Sequence, residues 1–268
     1  MRVALSCLVA LTGFSAALSA EEATKGVDVA LVSEVATVTA AKPFTVALKV
    51  HHHPKFHTYW KNSGVVGVPI KLKWQLPEGF TAGPIQWPTP ERVMMAKYPA
   101  HGYERDILLL VEITPPAVVP EKVELKAEAS WMACADGCYP GNKILTLDFP
   151  ATAQTAEIAK ARAELPQPLQ GWTATLESAK DAAEIRVKFT RASGNDAQPG
   201  TLYFFSSDEQ ISSDPPQKIE PLADGFRLIA PRSEYSPKNK ASLPGVLVGE
   251  KPLAPGAGTA ATVEPAYP

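Results

Sequence analysis

The stretch VELKAEASWMACADGCYPGNKILTLDF, residues 123–149, predicts a long β-hairpin. Apolar and polar residues alternate over 123–133 and again over 144–149, which is the period of a half-buried strand. Three residues separate the two cysteines, and hairpin loops of this length favour a glycine in the left-handed conformation. Gly137 is placed to supply it. The sequence therefore predicts that both cysteines of this stretch lie at the tip of one hairpin.

Cys134 and Cys138 face each other across the predicted hairpin. Facing residues have Cα atoms about 4.5–5.5 Å apart, inside the window that a disulfide needs. By the same alternation Cys134 falls on the solvent-facing side of its strand, whereas Trp131 points inward. We therefore expect a Cys134–Cys138 bond that forms and breaks without moving the backbone far.

Three interpretations of this pair remain open from the residues alone. A structural disulfide is one, although closing a loop of about five residues stabilises a fold by only about 2 kcal/mol. A metal site is another, although two cysteines leave a zinc ion two ligands short. The third is redox exchange. Asp136 disfavours a thiolate and Lys143 is the only cation close in sequence, so the pair is better suited to attack by a partner's thiolate than to attacking unaided.

The N-terminus predicts export to an oxidising compartment. Arg2 precedes an apolar run, and a small-x-small pattern ends at Ala20, so residues 1–20 are typical of a cleaved secretory signal peptide. Cys7 would be removed with it, which leaves an even number of cysteines. No later apolar stretch reaches membrane-spanning length. We expect a periplasmic protein with no membrane span in the mature chain.

Composition and motifs exclude several function classes. The formal net charge is −2 and the sequence holds no basic cluster, so nucleic acid is not an expected partner. No glycine-rich phosphate loop stands at a strand-to-helix junction, and no cofactor is expected. No nucleophile-elbow pattern supports a hydrolase.

Short alternating runs and 26 prolines predict an all-β protein. The expected architecture is two immunoglobulin-like β-sandwich domains joined by a short helical linker. The helical window is Ala151–Leu165, which Pro166 ends, and the Pro-, Gly- and Ala-rich tail is expected to be disordered. The expected segments are a signal peptide at 1–20, the cysteine-bearing domain at 21–150, the linker at 151–170, a smaller β-sandwich domain at 171–250 and the tail at 251–268.

The alternation also places individual strands. Those of the first domain are Val27–Val32, Phe44–His52, Ile70–Gln75, Ile107–Ile113, Val123–Ala133 and Ile144–Phe149. Those of the second are Trp172–Glu177, Ala183–Thr190, Thr201–Phe205 and Gly225–Ile229.

The segment CADGCYP, residues 134–140, resembles the active-site stretch of the periplasmic N-terminal domain of the thiol:disulfide interchange protein DsbD family. Its three-residue spacing between cysteines is that of the ScsB-like branch. Similarity extends to HTYWKN at 57–62, LPEGF at 76–80 and GPIQWP at 83–88. Together these motifs cover most of residues 45–150, and the combination is more specific than any one piece.

The resemblance implies an immunoglobulin-like domain that accepts electrons from a thioredoxin-like redox protein or a DsbD-type membrane electron donor. Through Cys134 and Cys138 it would pass them to periplasmic disulfide-containing client proteins. Family members carry a multi-span membrane domain after this region, so relay by this chain would require a separate membrane partner. By the same analogy Cys138 forms the mixed disulfide with the partner and Cys134 resolves it.

In the family an aromatic cap loop shields the cysteine pair. The matching region here is 94–103, with Tyr98 as the candidate cap residue and Tyr103 as its neighbour. Ordinary edge aromatics are the alternative interpretation of both tyrosines. The other residues expected near the site are Trp131, Asp136 and Tyr139.

Two alternative functions remain. His51, His52, His53 and His57 could bind copper or zinc, and the ScsB-like resemblance favours copper. However, His52 should point to the opposite strand face from His51 and His53, so a shared site needs a bulge or a bend. The second alternative is a non-catalytic binding or assembly module in which the disulfide only locks a loop.

Overall fold

The computed structural model describes residues 25–268, and β-strands dominate them. The predicted signal peptide with its Cys7 lies outside these residues. The strands of the first half are β1 Val27–Ser33, β2 Phe44–His52, β3 Thr58–Gly64, β4 Lys71–Gln75, β5 Thr81–Ala82, β6 Glu91–Met95, β7 Tyr98–Tyr103, β8 Ile107–Thr114, β9 Val123–Cys134 and β10 Cys138–Phe149. Helix α1, Thr155–Ala163, follows. The remaining strands are β11 Gln167–Pro168, β12 Trp172–Leu176, β13 Glu184–Arg191, β14 Leu202–Ser206, β15 Lys218–Leu222, β16 Gly225–Pro231, β17 Gly245–Gly249 and β18 Ala260–Val263. The predicted all-β class is confirmed.

Two sheets of the first half, in the orders β1-β2-β8-β5 and β10-β9-β4, enclose one hydrophobic core. Alternate residues of each strand point into this core, which is why the sequence alternates. Representative core residues, each less than 2% exposed, are Val46 and Leu48 on β2, Leu109 and Val111 on β8, and Leu125 and Ala127 on β9. This arrangement is consistent with an immunoglobulin-like sandwich.

A third sheet, β3-β7-β6, lies against the end of β9. We call it the cap sheet. Its β6–β7 hairpin turns at Ala96, which adopts a left-handed φ of 54°. The pairing of β3 with β7 is interrupted by a bulge between Tyr59 and Gly64. The segment at 94–103, expected to be a loop, is therefore mostly paired strand.

Residues 167–268, the C-terminal half, contain two more four-stranded sheets around a second core. The four strands predicted there are present as β12, β13, β14 and β16, whereas the prediction missed β11, β15, β17 and β18. The tail at 251–268 was predicted to be disordered, but it contains a paired strand and buried side chains. Its β18 pairs with β17 and β11, and Leu253 and Tyr267 are buried. Its small apolar residues complete the second core, a contribution that composition alone does not reveal.

Helix α1 is shorter than the predicted window, and it packs against the first sandwich. Ile158 is fully buried and packs with Ala47 and Leu110 of the first sheet. Arg162 donates two hydrogen bonds, of 3.0 and 2.9 Å, to the two carboxylate oxygens of Glu34. The helix is therefore docked on the first sandwich rather than acting as a loose linker.

Among residues 25–268, no helix is long and apolar enough to cross a membrane.

Replacing Ile158 with alanine should destabilise the fold by about 2–4 kcal/mol, because it leaves a cavity under the helix. Urea unfolding of the mature protein measures this free energy. The matched control is Ile144→Ala, where the same side chain is 64% exposed and the expected loss is below about 1 kcal/mol. Equal losses in the two variants would show that the helix contributes no packing energy.

Candidate functional site at the tip of the cysteine hairpin

The register of β9 against β10 brings the two cysteines together. Pairing runs without interruption from Val123↔Phe149 to Cys134↔Cys138. The Cα atoms of the last pair are 4.1 Å apart, and their sulfur atoms form a disulfide. The predicted bond is therefore present, and it closes the hairpin tip.

The two sulfur-bearing residues differ in exposure. Cys134 is fully buried, whereas Cys138 is exposed. The alternation of β9 predicted a solvent-facing Cys134, and this prediction was wrong. The cap sheet covers the polar face of β9 at this one end, so the parity rule fails there. Only Cys138 of the pair is open to attack from solvent.

His57, the residue just before strand β3, enters the site through its backbone. The His57 N–H donates to the Cys134 carbonyl at 2.9 Å, and the Cys134 N–H donates to the His57 carbonyl at 3.0 Å. This pair of bonds extends the β9 ladder into the cap sheet. It fixes the position of Cys134 independently of the disulfide.

An apolar cluster surrounds Cys134. Tyr59, Val93 and Ala100 of the cap sheet are buried with it. Three partly buried side chains complete the cluster, namely Val66, Met95 and Met132. Charge on a thiol is disfavoured in such surroundings. The sequence analysis missed this cluster because its members come from four separate strands and a loop.

His57 and Tyr59 form a polar pair inside the covered region. The His57 Nε2 and the Tyr59 hydroxyl lie 3.2 Å apart. Burial lowers the pKa of His57 and raises the pKa of Tyr59 to about 12. Both side chains are therefore neutral at pH 7, and neither supplies a charge near Cys134.

The exposed side of the hairpin tip is flanked by an aromatic pair. The rings of Tyr139 and Phe56 are 6.0 Å apart between centroids, and the Lys25 Nζ lies 3.9 Å from the Tyr139 centroid. Lys25 is a cation that the sequence analysis did not place here. Asp136 is exposed beside the disulfide, as expected.

Gly137 does not have the predicted left-handed conformation, since its φ lies outside that region. A Cβ added at this position would lie 3.2 Å from the Tyr139 hydroxyl. Glycine therefore lets the tyrosine fold back over the loop. The tight approach of a side chain, rather than the backbone angle, accounts for a small residue here.

The other predicted site residues lie farther from the pair. Tyr98 is at the β6–β7 turn, 41% exposed, and is not part of the cluster around Cys134. Tyr103 is fully buried in the main core, where its hydroxyl donates to the Pro88 carbonyl at 2.9 Å. Trp131 faces the same core, as predicted. Of the predicted aromatics, Tyr139 lies next to the disulfide.

A shallow groove runs beside the hairpin tip. Its volume is about 490 Å³, and Val68, Met132 and Pro140 contribute to its lining. Val68 is 43% exposed, and Met94 on strand β6 of the cap sheet is 53% exposed. The groove runs along the hairpin strands close to the two cysteines in sequence, and its flexible Met132 suits contact with another protein.

The four histidines do not form one site. His51 Nδ1 lies 2.8 Å from Asp106, and His53 Nε2 lies 3.0 Å from Asp28. His52 points to the other face and bonds Thr58 at 2.8 Å, and His57 belongs to the covered region. Over the range 25–268, no three His, Cys, Asp or Glu residues are arranged to hold a metal ion. The alternation of strand β2 separates the histidines, as expected.

Known proteins resemble this chain in sequence and in fold. A family model described as thiol:disulfide interchange protein DsbD, N-terminal, matches residues 27–150. These residues form a DsbD N-terminal-like domain. The DsbD N-terminal-like domain includes the disulfide, the cap sheet and the first core, so the resemblance found in the sequence is confirmed.

The whole fold also has a counterpart. It is similar to the crystal structure of the N-terminal periplasmic domain of ScsB from Proteus mirabilis, with a TM-score of 0.65 and 15% identity. The match covers 91% of this chain and 95% of that chain. It shows that the DsbD N-terminal-like domain and the C-terminal half together share that fold. No curated protein sequence matches the chain.

His52 and His51 should affect stability with opposite dependence on pH. Burial lowers the pKa of His52 to about 4, so the unfolded chain binds its proton first as pH falls. His52 should therefore cost up to about 3 kcal/mol of stability between pH 6.5 and pH 4. The exposed His51 has its pKa raised by the Asp106 carboxylate, so its contribution is present below pH 6.5 and is lost as pH rises.

Urea unfolding at a series of pH values checks this pair of predictions. His52→Gln should flatten the fall in stability between pH 6.5 and 4 relative to the parent protein. His51→Gln, at the neighbouring position, should leave that fall in place and alter the curve above pH 6.5. The same change of slope in both variants would contradict the interpretation that burial lowers the pKa of His52 and not that of His51.

Proposed function

We propose that this protein is a periplasmic thiol–disulfide exchange protein that relays electrons through Cys134 and Cys138. One observation carries the proposal: an exposed cysteine, Cys138, is bonded to the buried Cys134 at the tip of a hairpin in a DsbD N-terminal-like domain. A disulfide kept only for stability gains nothing from an exposed cysteine. Closing so short a loop also contributes little stability.

The first exchange step follows from the difference in exposure. A partner's thiolate attacks the Cys138 Sγ, forming a mixed disulfide while the Cys134–Cys138 bond breaks. The electron pair leaves on the Cys134 Sγ, which then takes up a proton. The partner's second thiolate attacks the partner's own bonded sulfur and releases Cys138. In sum the partner dithiol becomes a disulfide, and this pair gains two electrons and two protons.

Transfer to a client protein reverses these roles. The Cys138 thiolate attacks one sulfur of the client disulfide, and the other client sulfur leaves as a thiolate. Cys134 then attacks the Cys138 Sγ, which reforms the internal disulfide and releases the reduced client. Cys134 is thus the leaving group in the first exchange and the resolving residue in the second, within reach because the β9–β10 register holds it opposite Cys138.

The expected partners follow from this chemistry and from the family. A thioredoxin-like redox protein or a DsbD-type membrane electron donor would supply electrons, and periplasmic disulfide-containing proteins would receive them. The predicted signal peptide supports the periplasmic location. The second hydrophobic core, whose members all lie between Trp172 and Tyr267, supports a second β domain that begins at about residue 171.

The reduction potential of the Cys134–Cys138 pair tests the proposal. We expect a value between about −180 and −270 mV, the range of known exchange proteins. The mature protein is equilibrated in defined thiol/disulfide buffers and its free thiols are counted by mass spectrometry. A potential below about −300 mV would mark a structural bond and favour the non-catalytic binding module.

Single-cysteine variants should separate the roles of the two sulfurs. Cys134→Ala leaves the exposed Cys138, and it should form a stable mixed disulfide with a thioredoxin that lacks its own resolving cysteine. Cys138→Ala leaves only the buried Cys134, and it should form at least about tenfold less complex, because the cap sheet blocks approach. Non-reducing electrophoresis after activation of each thiol measures the yield. Equal yields, or the reverse order, would refute the assignment of Cys138.

A further inference from the structure

The cap sheet has two faces with different neighbours. Alternate residues of each strand point to opposite sides. On one side Tyr59 and Ala100 pack with Cys134. On the other side their chain neighbours Trp60 and His101 pack against rings of the C-terminal half. The sheet that covers Cys134 is thus held between the disulfide hairpin and strand β14 of the C-terminal half.

Aromatic contacts connect the cap sheet to strand β14. The Phe205 ring lies 4.9 Å from the His101 ring and 6.1 Å from the Trp60 ring, both edge-on. The Arg92 guanidinium lies 5.0 Å from the Tyr203 ring. Phe205 and Val246 of the C-terminal half belong to the same core as the first sandwich. These contacts involve strands β3, β6 and β7, so every strand of the cap sheet reaches the C-terminal half.

His101 links the cap sheet to the C-terminal half through two hydrogen bonds whose donors and acceptors can be assigned. Burial lowers the pKa of His101 to about 4, so its ring is neutral and has one donor and one acceptor at pH 7. Its Nδ1 lies 3.2 Å from the Asn62 carbonyl, which only accepts. The Nε2, 3.0 Å from the Tyr203 hydroxyl, is therefore the acceptor of the tyrosine O–H. Removing that hydroxyl would leave a buried ring nitrogen without its donor.

Residues of the C-terminal half also complete the cap sheet where its own pairing fails. In the bulged part of β3, the Asn62 side-chain amide donates to the Ser206 carbonyl at 2.9 Å. The Ser213 hydroxyl accepts from the Val65 N–H at 3.0 Å and donates to the Pro99 carbonyl at 2.9 Å. One buried hydroxyl thus bridges the segment after β3 to strand β7.

The fit around this hydroxyl is close. Gly64 has a φ of +81°, and a Cβ there would lie 2.4 Å from the Ser213 Oγ. Only glycine lets the bulge approach the serine in this way. The contact therefore depends on a glycine in the first half of the chain and on a serine in the C-terminal half.

We propose that the C-terminal half holds the cap sheet over Cys134, with Ser213 and Tyr203 as its positioning residues. The burial of Cys134 then depends on a part of the chain outside the DsbD N-terminal-like domain. The consequence for exchange rests on the proposed function, but the physical claim does not. Loosening either contact should expose Cys134 more often without unfolding the molecule.

The test measures how often Cys134 becomes accessible. In a mature Cys138→Ser variant, Cys134 is the remaining thiol, and a small neutral maleimide labels it when the cap sheet opens. Adding Ser213→Ala removes two hydrogen bonds and should speed labelling at least about fivefold. Adding Tyr203→Phe, which keeps the ring, should speed it about threefold. The matched control is Ser242→Ala, a C-terminal-half serine whose hydroxyl bonds Glu264 at 2.7 Å. It should label at the parent rate.

Hydrogen exchange of the amides in β13 and β16 separates local opening from general destabilisation. Faster labelling with unchanged exchange in these strands supports the proposal. Labelling of both variants within twofold of the control overturns it. Faster labelling that is matched by faster exchange throughout β13 and β16 also overturns it, because the C-terminal half would then merely be unfolding.

The reduction potential with both cysteines present tests the consequence for exchange. Separating the two sulfurs needs room under the cap sheet, so a looser cap favours the dithiol. Ser213→Ala should shift the potential to a less negative value, and Ser242→Ala should not. A potential unchanged by Ser213→Ala would overturn this consequence. If the parent potential lies in the structural range while the labelling result holds, the proposed function fails and the positioning role stands.

Discussion

The register of strand β9 against strand β10 is the constraint on which the site depends. Side chains alternate with a period of two, so a slip of one residue would turn Trp131 out of the core and move Cys134 away from Cys138. Burial of Leu125, Ala127 and Trp131 on one face makes such a slip costly. The energy that fixes the disulfide geometry therefore comes from the core of the sandwich and not from the bond itself.

The cap sheet adds the second constraint. Its backbone bonds between His57 and Cys134 continue the β9 ladder, and its apolar face covers the sulfur of Cys134. The same sheet is bulged at β3, and that bulge leaves polar groups that Ser206 and Ser213 satisfy. Coverage of the cysteine and contact with the C-terminal half are thus two consequences of one irregular sheet.

The sequence was sufficient for the features set by local patterns. The hairpin, the disulfide, most strands of the first sandwich and the separation of His52 from its neighbours all follow from alternation and spacing. The burial of Cys134 did not follow, because it is caused by Tyr59, Val93 and Ala100, which approach only when distant strands pair. The ordered tail was missed for a related reason. Small residues such as Ala261 carry little signal alone, yet fill the second core beside Tyr267.

Under the proposed exchange, the difference between the two sulfurs also limits which thiols react. Attack at Cys138 places negative charge on the Cys134 Sγ, inside an apolar cluster where His57 and Tyr59 are neutral. That charge is disfavoured unless the cap sheet moves or a proton arrives as the bond breaks. A small thiol neither moves the cap sheet nor delivers a proton to Cys134. A protein that contacts Val68, Met94 and the hairpin tip can shift the cap sheet as it binds. Selectivity then arises because a partner must bind and move the cap sheet before Cys134 is exposed. The more firmly the C-terminal half holds the cap sheet, the more binding free energy the partner must supply.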